Sequence, residues 1–435
     1  MIRFALDDTI ASLATPAGTG ALAVIRLSGR EALSIGDRVF RGERVLSELA
    51  GFQGAHGWIH DASGPIDEIV IWVYRGPRSY TGEDMLEISC HGGSLSAARV
   101  LEALWAAGAR PASPGEFTRR AFSNGRIDLT QAEAVADVIA ARGRRAHEQA
   151  LLQLQGGLSE RVRSVAKGIR EVMVEVEAHL DFGEDVPEIP ESAGLAARLR
   201  VAEVALARLA GSHLPSRRVR EGCVVALIGK PNVGKSSLLN ALAGRDRALV
   251  HDVPGTTRDV LDVMVEWSGV PVRLVDTAGL RSNVMDAVEQ AGIERTHREV
   301  RGADVALWVV DGSKEPGAED LSVGAGLDPE CSVLVLNKSD LGRDARWSNV
   351  HSPRVEVSAL TGAGVNELQQ SLEVLVGNGL AKGEESIWVA NERHARELVA
   401  AGEGLARGRE VLESGGNLEL CAADLHRSLS ALGAI

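Results

Sequence analysis

Residues 229–236, Gly-Lys-Pro-Asn-Val-Gly-Lys-Ser, carry the spacing GxxxxGK[ST] between an apolar run, CVVALI, and a helical stretch, SLLNALAG. Glycines at those positions let successive backbone amides converge on phosphate oxygens. Lys235 can neutralise phosphate charge, the Ser236 hydroxyl can ligate Mg2+, and Asn232, Val233, Gly234 and Ser237 complete the cradle. Further along, Asp276-Thr277-Ala278-Gly279 closes the apolar run VRLV. There Asp276 can hold magnesium through water, and the Gly279 amide can sense a γ-phosphate. Asn337-Lys338-Ser339-Asp340 closes CSVLVL. The Asp340 carboxylate can accept two N–H bonds from guanine, whereas adenine would leave it unpaired. Ser358 and Ala359, after RVEV, fit the backbone contact that completes a guanine pocket. Pro254-Gly255-Thr256-Thr257-Arg258-Asp259 lies between the first and second of these strings, where a segment can close on magnesium through Thr257. In this order the strings predict a domain that binds GTP and hydrolyses it.

Leu280 follows Gly279, where Ras-like proteins keep a water-orienting glutamine, and a leucine cannot orient water. Asp286 and Glu289, in MDAVEQAGIERT, are polar candidates for that work; two carboxylates on an exposed helix are the competing reading. Elsewhere, Arg26 and Glu87 are lone charges inside apolar runs. Buried charge is costly unless paired, so the two either pair with each other or meet a ligand.

These residues need scaffolds. ALAVIRLSG (21–29), DEIVIWVYRGP (67–77) and DMLEISCHGG (84–93) read as strands closed by Gly or Pro, and SLSAARVLEALWAAG (94–108) as a helix, so the first part is α+β. From about residue 119 the period becomes helical, and Thr130 with Glu133 suggests a capping box. Gly156 and Gly157 end that run. Val162, Val165, Ile169, Val172, Met173, Val176 and Leu180 then follow at helical steps on one face, and a third helix extends to about 210. GSHLPSRRVREG (211–222) reads as a solvated linker, although Arg217, Arg218 and Arg220 could touch phosphate. Strands alternate with helices from 223 to about 375, which implies a mostly parallel sheet covered on both faces. Helical periodicity returns after about 385. The α/β segment is therefore expected to be inserted in a helical domain.

Bulk composition restricts the partners. The chain has 435 residues and a net charge of −13, so its average surface repels nucleic-acid phosphates and any RNA contact must be local or assisted. Aromatics are 3%, too few for a base-stacking platform. Cys90, Cys223, Cys331 and Cys421 are far apart, without the CxxC spacing of a metal site, and a disulfide framework is not expected. The N-terminus lacks a signal pattern and no apolar run reaches bilayer-spanning length, which makes the cytoplasm the expected compartment.

TPAGTGALAVIRLSG, SYTGEDMLEISCHGG, PGEFTRRAFSNGRIDLTQAEAVADVI, GKPNVGKSSLLNALAGRDRALV, PGTTRD and GIERT together resemble the MnmE (TrmE) tRNA-modification GTPase family, with similarity from about residue 5 to 435. The resemblance implies a multidomain α/β plus α+β chain. A folate-binding and dimerisation domain, similar to aminomethyltransferase folds, would span 1–118. A helical domain would span 119–215 and 376–435, with a P-loop, Ras-like G domain at 216–375. It further implies a homodimer and a complex with the FAD-dependent partner GidA/MnmG, forming a heterotetramer or larger assembly. The activity implied is potassium-stimulated GTP hydrolysis that drives addition of an aminomethyl or carboxymethylaminomethyl group to carbon-5 of the tRNA wobble uridine.

Arg26, Glu87 and Arg126 fall on positions that resemble the family's contacts to a tetrahydrofolate, in its 5-formyl or 5,10-methylene form. A carboxylate such as Glu87 can accept pterin N–H bonds, and guanidinium groups suit folate carboxylates. Glu289 matches the family's water-orienting glutamate. Asn232 matches its potassium ligand, and His251, Val253 and Thr256 fall on the remaining positions of the potassium loop. The family closes with a Cys-x-Gly-Lys tail, whereas this chain ends LHRSLSALGAI with Cys421 inside a helical stretch. Either the sequence is truncated or this member lacks the tail, and we expect these 435 residues by themselves to hydrolyse GTP, with tRNA modification restored once a Cys-x-Gly-Lys tail is appended. The alternative from a different class is a ribosome-assembly GTPase resembling Era or Der, which binds RNA without modifying it.

Overall fold

A computed structural model describes residues 8–182, 192–244, 262–276, 303–350, 353–377, 389 and 391–435. The chain forms two compact units, Met1–Ala136 and Asp137–Ile435.

The first unit is α+β. Strands β1 (Ile10–Leu13), β2 (Leu22–Ser28), β3 (Phe40–Gly42), β4 (Gln53–Asp61), β5 (Gly64–Tyr74), β6 (Met85–His91) and β7 (Arg110–Pro111) form one sheet in the order β3-β4-β5-β6-β2-β1-β7. Its pairs are antiparallel except β1 with β7. Alternation explains its two faces. Along β5, Ile69, Ile71 and Val73 are buried while Glu68, Val70 and Trp72 face out. The buried set shares one core with residues of helices α1 (Ala32–Val39) and α2 (Ser94–Ala106), including Ile35, Val100 and Leu104. The opposite face carries Arg26 and Glu87. Helix α3 (Glu116–Ser123) follows β7.

Helix α4 (Leu129–Ala140) starts two residues earlier than a Thr130 cap allows. Asp128 caps instead: its carboxylate accepts from Gln131 N at 3.0 Å and from the Thr130 hydroxyl at 2.8 Å, while Gln131 Oε1 accepts from Asp128 N at 2.9 Å. The box is Asp128–Gln131, a charged acceptor outcompeting the hydroxyl two residues on.

In the second unit, α5 (Arg144–Leu154) and α6 (Gly157–Phe182) break at Gly156, whose φ of +89° suits glycine. Of the stripe expected on α6, Val162, Ile169, Val172 and Val176 are buried, but Leu180 is exposed near the helix end. Helix α7 (Ser192–Gly211) follows. Residues 213–221 are not a solvated linker but helix α8 (His213–Glu221): Val219 is buried in the G-domain core, and Arg218 and Arg220 lie 3.6 Å from Asp304 and 3.7 Å from Asp137. Tertiary packing and ion pairing outweigh the polar composition that suggested a linker.

The second sheet contains β8 (Cys223–Ile228), β9 (Asp262–Trp267), β10 (Val270–Asp276), β11 (Val305–Asp311), β12 (Ser332–Asn337) and β13 (Arg354–Glu356), in the order β13-β12-β11-β8-β10-β9. All neighbours are parallel except the β9–β10 hairpin. Helices α9 (Lys235–Ala243), α10 (Ala318–Ala325) and α11 (Val365–Gly377) belong to this α/β part. The terminal helices α12 (Glu392–Ser414) and α13 (Leu418–Gly433) share a core with α6 and α7, where Leu398, Leu405 and Leu425 meet Ile169 and Leu199. Segments on both sides of the G domain thus build one bundle, and the G domain is inserted in it. Cys421 is buried in that bundle, and burial pushes its thiol up to about 11.

Candidate GTP site and N-terminal cleft

The turn leaving β8 is shaped by two glycines. A Cβ on Gly229 would lie 2.1 Å from the Val309 carbonyl oxygen, and one on Gly234, at φ +97°, would lie 2.3 Å from Asn337 Nδ2. Only the residue without a side chain lets the loop pass this close. Asn232 also adopts the left-handed region, at φ +64°. Lys235 is buried, and its ammonium donates to the Gly229 and Lys230 carbonyls at 2.8 and 2.7 Å, so the cation is held inside the loop. Ser236, exposed at the second position of α9, donates to Asp276 Oδ2 at 2.6 Å. A hydroxyl and a buried carboxylate this close form a hard-oxygen pair that fits Mg2+. Val233 is buried and Ser237 exposed, one residue beyond.

Asn337, 2% exposed, ties three loops together. Its Nδ2 donates to the Val233 carbonyl at 2.7 Å, and its Oδ1 accepts from the Ala359 amide at 3.0 Å. Asp340 accepts a 2.5 Å hydrogen bond from the buried Ser358 hydroxyl. Lys338, at φ +66°, donates to Asp311 Oδ2 at 2.8 Å. Burial works against the Asp311 charge, but the hydrogen bonds from Lys338 and Ser313 lower its pKa overall. All these groups gather at the carboxyl ends of parallel strands, the usual ligand edge of an open α/β sheet. Asp311 escaped the sequence reading. Its only signal was an acidic residue closing the strand before CSVLVLN. His251, Val253, Thr256, Thr257, Thr277, Ala278, Gly279, Leu280, Asp286 and Glu289 lie outside the described residues.

In the first unit, Arg26 and Glu87 stand directly opposite in the β2–β6 register and pair at 2.8 Å. The pair also reaches a cleft. Glu87 lines a cavity of about 470 Å³ and accepts from the Tyr74 hydroxyl at 3.1 Å, while the Arg26 guanidinium sits 4.9 Å from the Tyr80 ring centroid. Burial, then the Glu87 charge, raise the Tyr74 pKa. Ion pair and cleft wall are therefore one arrangement. Arg126 joins the same cleft because α3 ends in a Schellman turn: Gly125 takes φ +68°, and the Arg126 amide donates to the Ala121 carbonyl at 2.9 Å. Asn124 holds this turn to the Thr81 carbonyl at 2.7 Å. Tyr74, Tyr80 and Asn124 were not singled out from sequence, since none lies in an apolar run as an unpaired charge.

The sequence profile described as GTP-binding protein TrmE N-terminus matches residues 9–126, and the MnmE helical domain profile matches 129–435. Curated relatives called tRNA modification GTPase MnmE align over nearly the whole chain. The one from Natranaerobius thermophilus is 37% identical over 436 residues, covering 99% of this chain and 95% of the relative. Those from Geobacter sulfurreducens and Geobacillus kaustophilus are 41% and 39% identical, covering 99% and 98% of this chain and 95% of each relative. With its phosphate-loop motif, the Asn337 brace and these likenesses over nearly the whole chain, the chain belongs to the tRNA modification GTPase MnmE family.

Proposed function

We propose that this chain hydrolyses GTP and couples the cycle to modification of tRNA at carbon-5 of the wobble uridine, adding an aminomethyl or carboxymethylaminomethyl group. The observation that carries the reading is the brace at Asn337, which joins the phosphate loop at Val233 to the Ser358–Ala359 segment beside Asp340. That brace would hold phosphate and base recognition in one frame, as a GTP site needs. Val233, Gly234, Lys235, Ser236 and Ser237 would cradle the phosphates, with Thr256 and the strip Asp276, Thr277, Ala278 and Gly279 on the γ side. Asn337, Lys338, Asp340, Ser358 and Ala359 would hold guanine.

Ser236 and Thr257 would hold Mg2+, which when bound offsets charge on the phosphates. Asn232, with His251, Val253 and Thr256, would hold K+ in place of an arginine finger, and Glu289 would orient the attacking water. Arg26, Glu87 and Arg126 would bind a tetrahydrofolate that supplies the one-carbon unit. Glu87 accepts ring N–H groups, and the guanidinium groups meet carboxylates. The proposal includes a homodimer, the partner GidA/MnmG and a cytoplasmic location; no helix among the described residues is long and apolar enough to cross a membrane. The domain limits 1–118, 119–215, 216–375 and 376–435 belong to the same reading.

Mass spectrometry of tRNA nucleosides from a strain lacking the gene tests the coupling. Loss of the modified wobble uridine is expected. A full complement of that nucleoside, with a ribosome-assembly defect in its place, would overturn the tRNA part.

A further inference from the structure

The cleft beside Glu87 contains two features that the assignment to Arg26, Glu87 and Arg126 does not use. Phe52, in the turn before β4, adopts φ +64°, a conformation that glycine or asparagine takes easily and a bulky aromatic does not. Core packing does not hold it there, for the side chain is 60% exposed. Its ring stands edge-on to Tyr74, with centroids 5.5 Å apart and planes at 81°. The second feature is Ser79. The residue is 7% exposed, and its buried hydroxyl has no hydrogen-bond partner among the described residues. Phe52, Tyr74, Ser79 and Glu87 all line the same cavity, with Arg78 and Arg126 beside them. Backbone strain and orphaned buried polar groups are both unfavourable in the free protein, and both are typical of sites shaped for a ligand.

We propose that Phe52 and Ser79 are ligand-contacting residues of this cleft. Phe52 and Tyr74 form an aromatic wall for a flat bicyclic nitrogen heterocycle, and the Ser79 hydroxyl, turned about its single side-chain torsion, bonds the polar edge of that ring. Glu87 accepts the ring N–H groups, and Arg78 with Arg126 takes an anionic tail. The assignment rests on the folate reading given above and adds two residues to it.

Calorimetric titration of the intact chain with 5-formyl-tetrahydrofolate, paired with thermal unfolding of the ligand-free protein, tests it. Phe52→Ala and Phe52→Gly should weaken binding about tenfold through lost ring contact. Ser79→Ala should weaken it about fivefold, and Phe52→Tyr should bind like the wild type. Free Phe52→Gly should melt at or above the wild-type temperature, because glycine relieves the left-handed strain, and Ser79→Ala should not melt lower. Wild-type affinity in Phe52→Ala and Ser79→Ala overturns the assignment while leaving the folate reading intact. Loss of affinity only in step with a lower melting temperature also overturns it, making the two residues structural. Failure of the unmodified chain to bind the folate ends the folate reading and the assignment together.

Discussion

Replacing Asn337 by alanine removes both ends of the brace between the phosphate loop and the Ser358–Ala359 segment. The Val233 carbonyl loses a 2.7 Å bond and the Ala359 amide a 3.0 Å bond, around a side chain that is 2% exposed. A buried group left unsatisfied costs about 1–3 kcal/mol, so two such groups weaken the local structure by about 2–6 kcal/mol, a factor of roughly 30 to 25,000 in its opening equilibrium. The Ala359 amide reports this directly, because its protection from hydrogen exchange depends on the Asn337 oxygen. Exchange measured by mass spectrometry should quicken there and in the 229–236 loop, leaving the first unit unchanged. GTP affinity should fall, while preference for guanine over xanthine persists because Asp340 is intact. Asn337→Asp should restore the acceptor for Ala359 but not the donor for Val233, and so recover only part of the protection. Unchanged exchange at Ala359 in Asn337→Ala, with wild-type GTP affinity, would show that Asn337 does not brace the two loops.

The N-terminal pair gives a second test: Arg26→Ala and Glu87→Ala should each abolish calorimetric binding of 5-formyl-tetrahydrofolate and leave GTP hydrolysis largely intact. Normal folate binding with a lowered melting temperature would assign the pair to structure alone. Glu116 accepts from Arg110 at 2.6 Å and from Arg120 at 3.2 Å, and the Arg110 hydrogen bond leads in holding its carboxyl down at about 2. A folded pKa below the unfolded one stabilises fully above about pH 4.5 and progressively less as pH falls toward 2. Glu116→Gln should therefore cost about 3 kcal/mol at neutral pH, and the gap from wild type should close through that acid window in urea titrations. Potassium should raise GTP hydrolysis well above its rate in sodium. Asn232→Ala should lose that stimulation, and Glu289→Ala should lose hydrolysis but keep nucleotide binding. Equal rates in the two salts would remove the cation from the account.

The G domain was legible in sequence because its chemistry sits where strands end. Gly229–Ser236, Asp276 and Asn337–Asp340 each follow an apolar run, and parallel strands bring such ends together. The expected strands at 21–29, 67–77 and 84–93 became β2, β5 and β6 within a few residues, because their alternation reports a half-buried sheet. What composition hid was tertiary. The polar segment 211–222 holds a helix because Val219 reaches the G-domain core and its arginines meet Asp304 and Asp137. The cap at Asp128 was obscured by an equally good local string two residues on. Asp311, Tyr74 and Ser79 matter through neighbours far along the chain, which spacing alone does not reveal. The Arg26–Glu87 question had no answer in sequence, since register across two strands decides it: the register pairs the two charges, while Glu87 also lines the cleft.

Nucleotide choice in Asp340→Asn tests the guanine site most sharply. The Asp340 carboxylate, held by the Ser358 hydroxyl at 2.5 Å, is assigned to the two N–H groups of guanine. Replacing one carboxylate oxygen by an amide donor removes an acceptor for guanine and supplies a donor for the xanthine carbonyl. Competition binding with GTP, ATP and xanthosine triphosphate should show GTP affinity falling by at least about tenfold and xanthosine triphosphate gaining correspondingly, with ATP remaining weak. Unchanged GTP preference in the variant would contradict the guanine site and, with it, GTP as the nucleotide this domain hydrolyses.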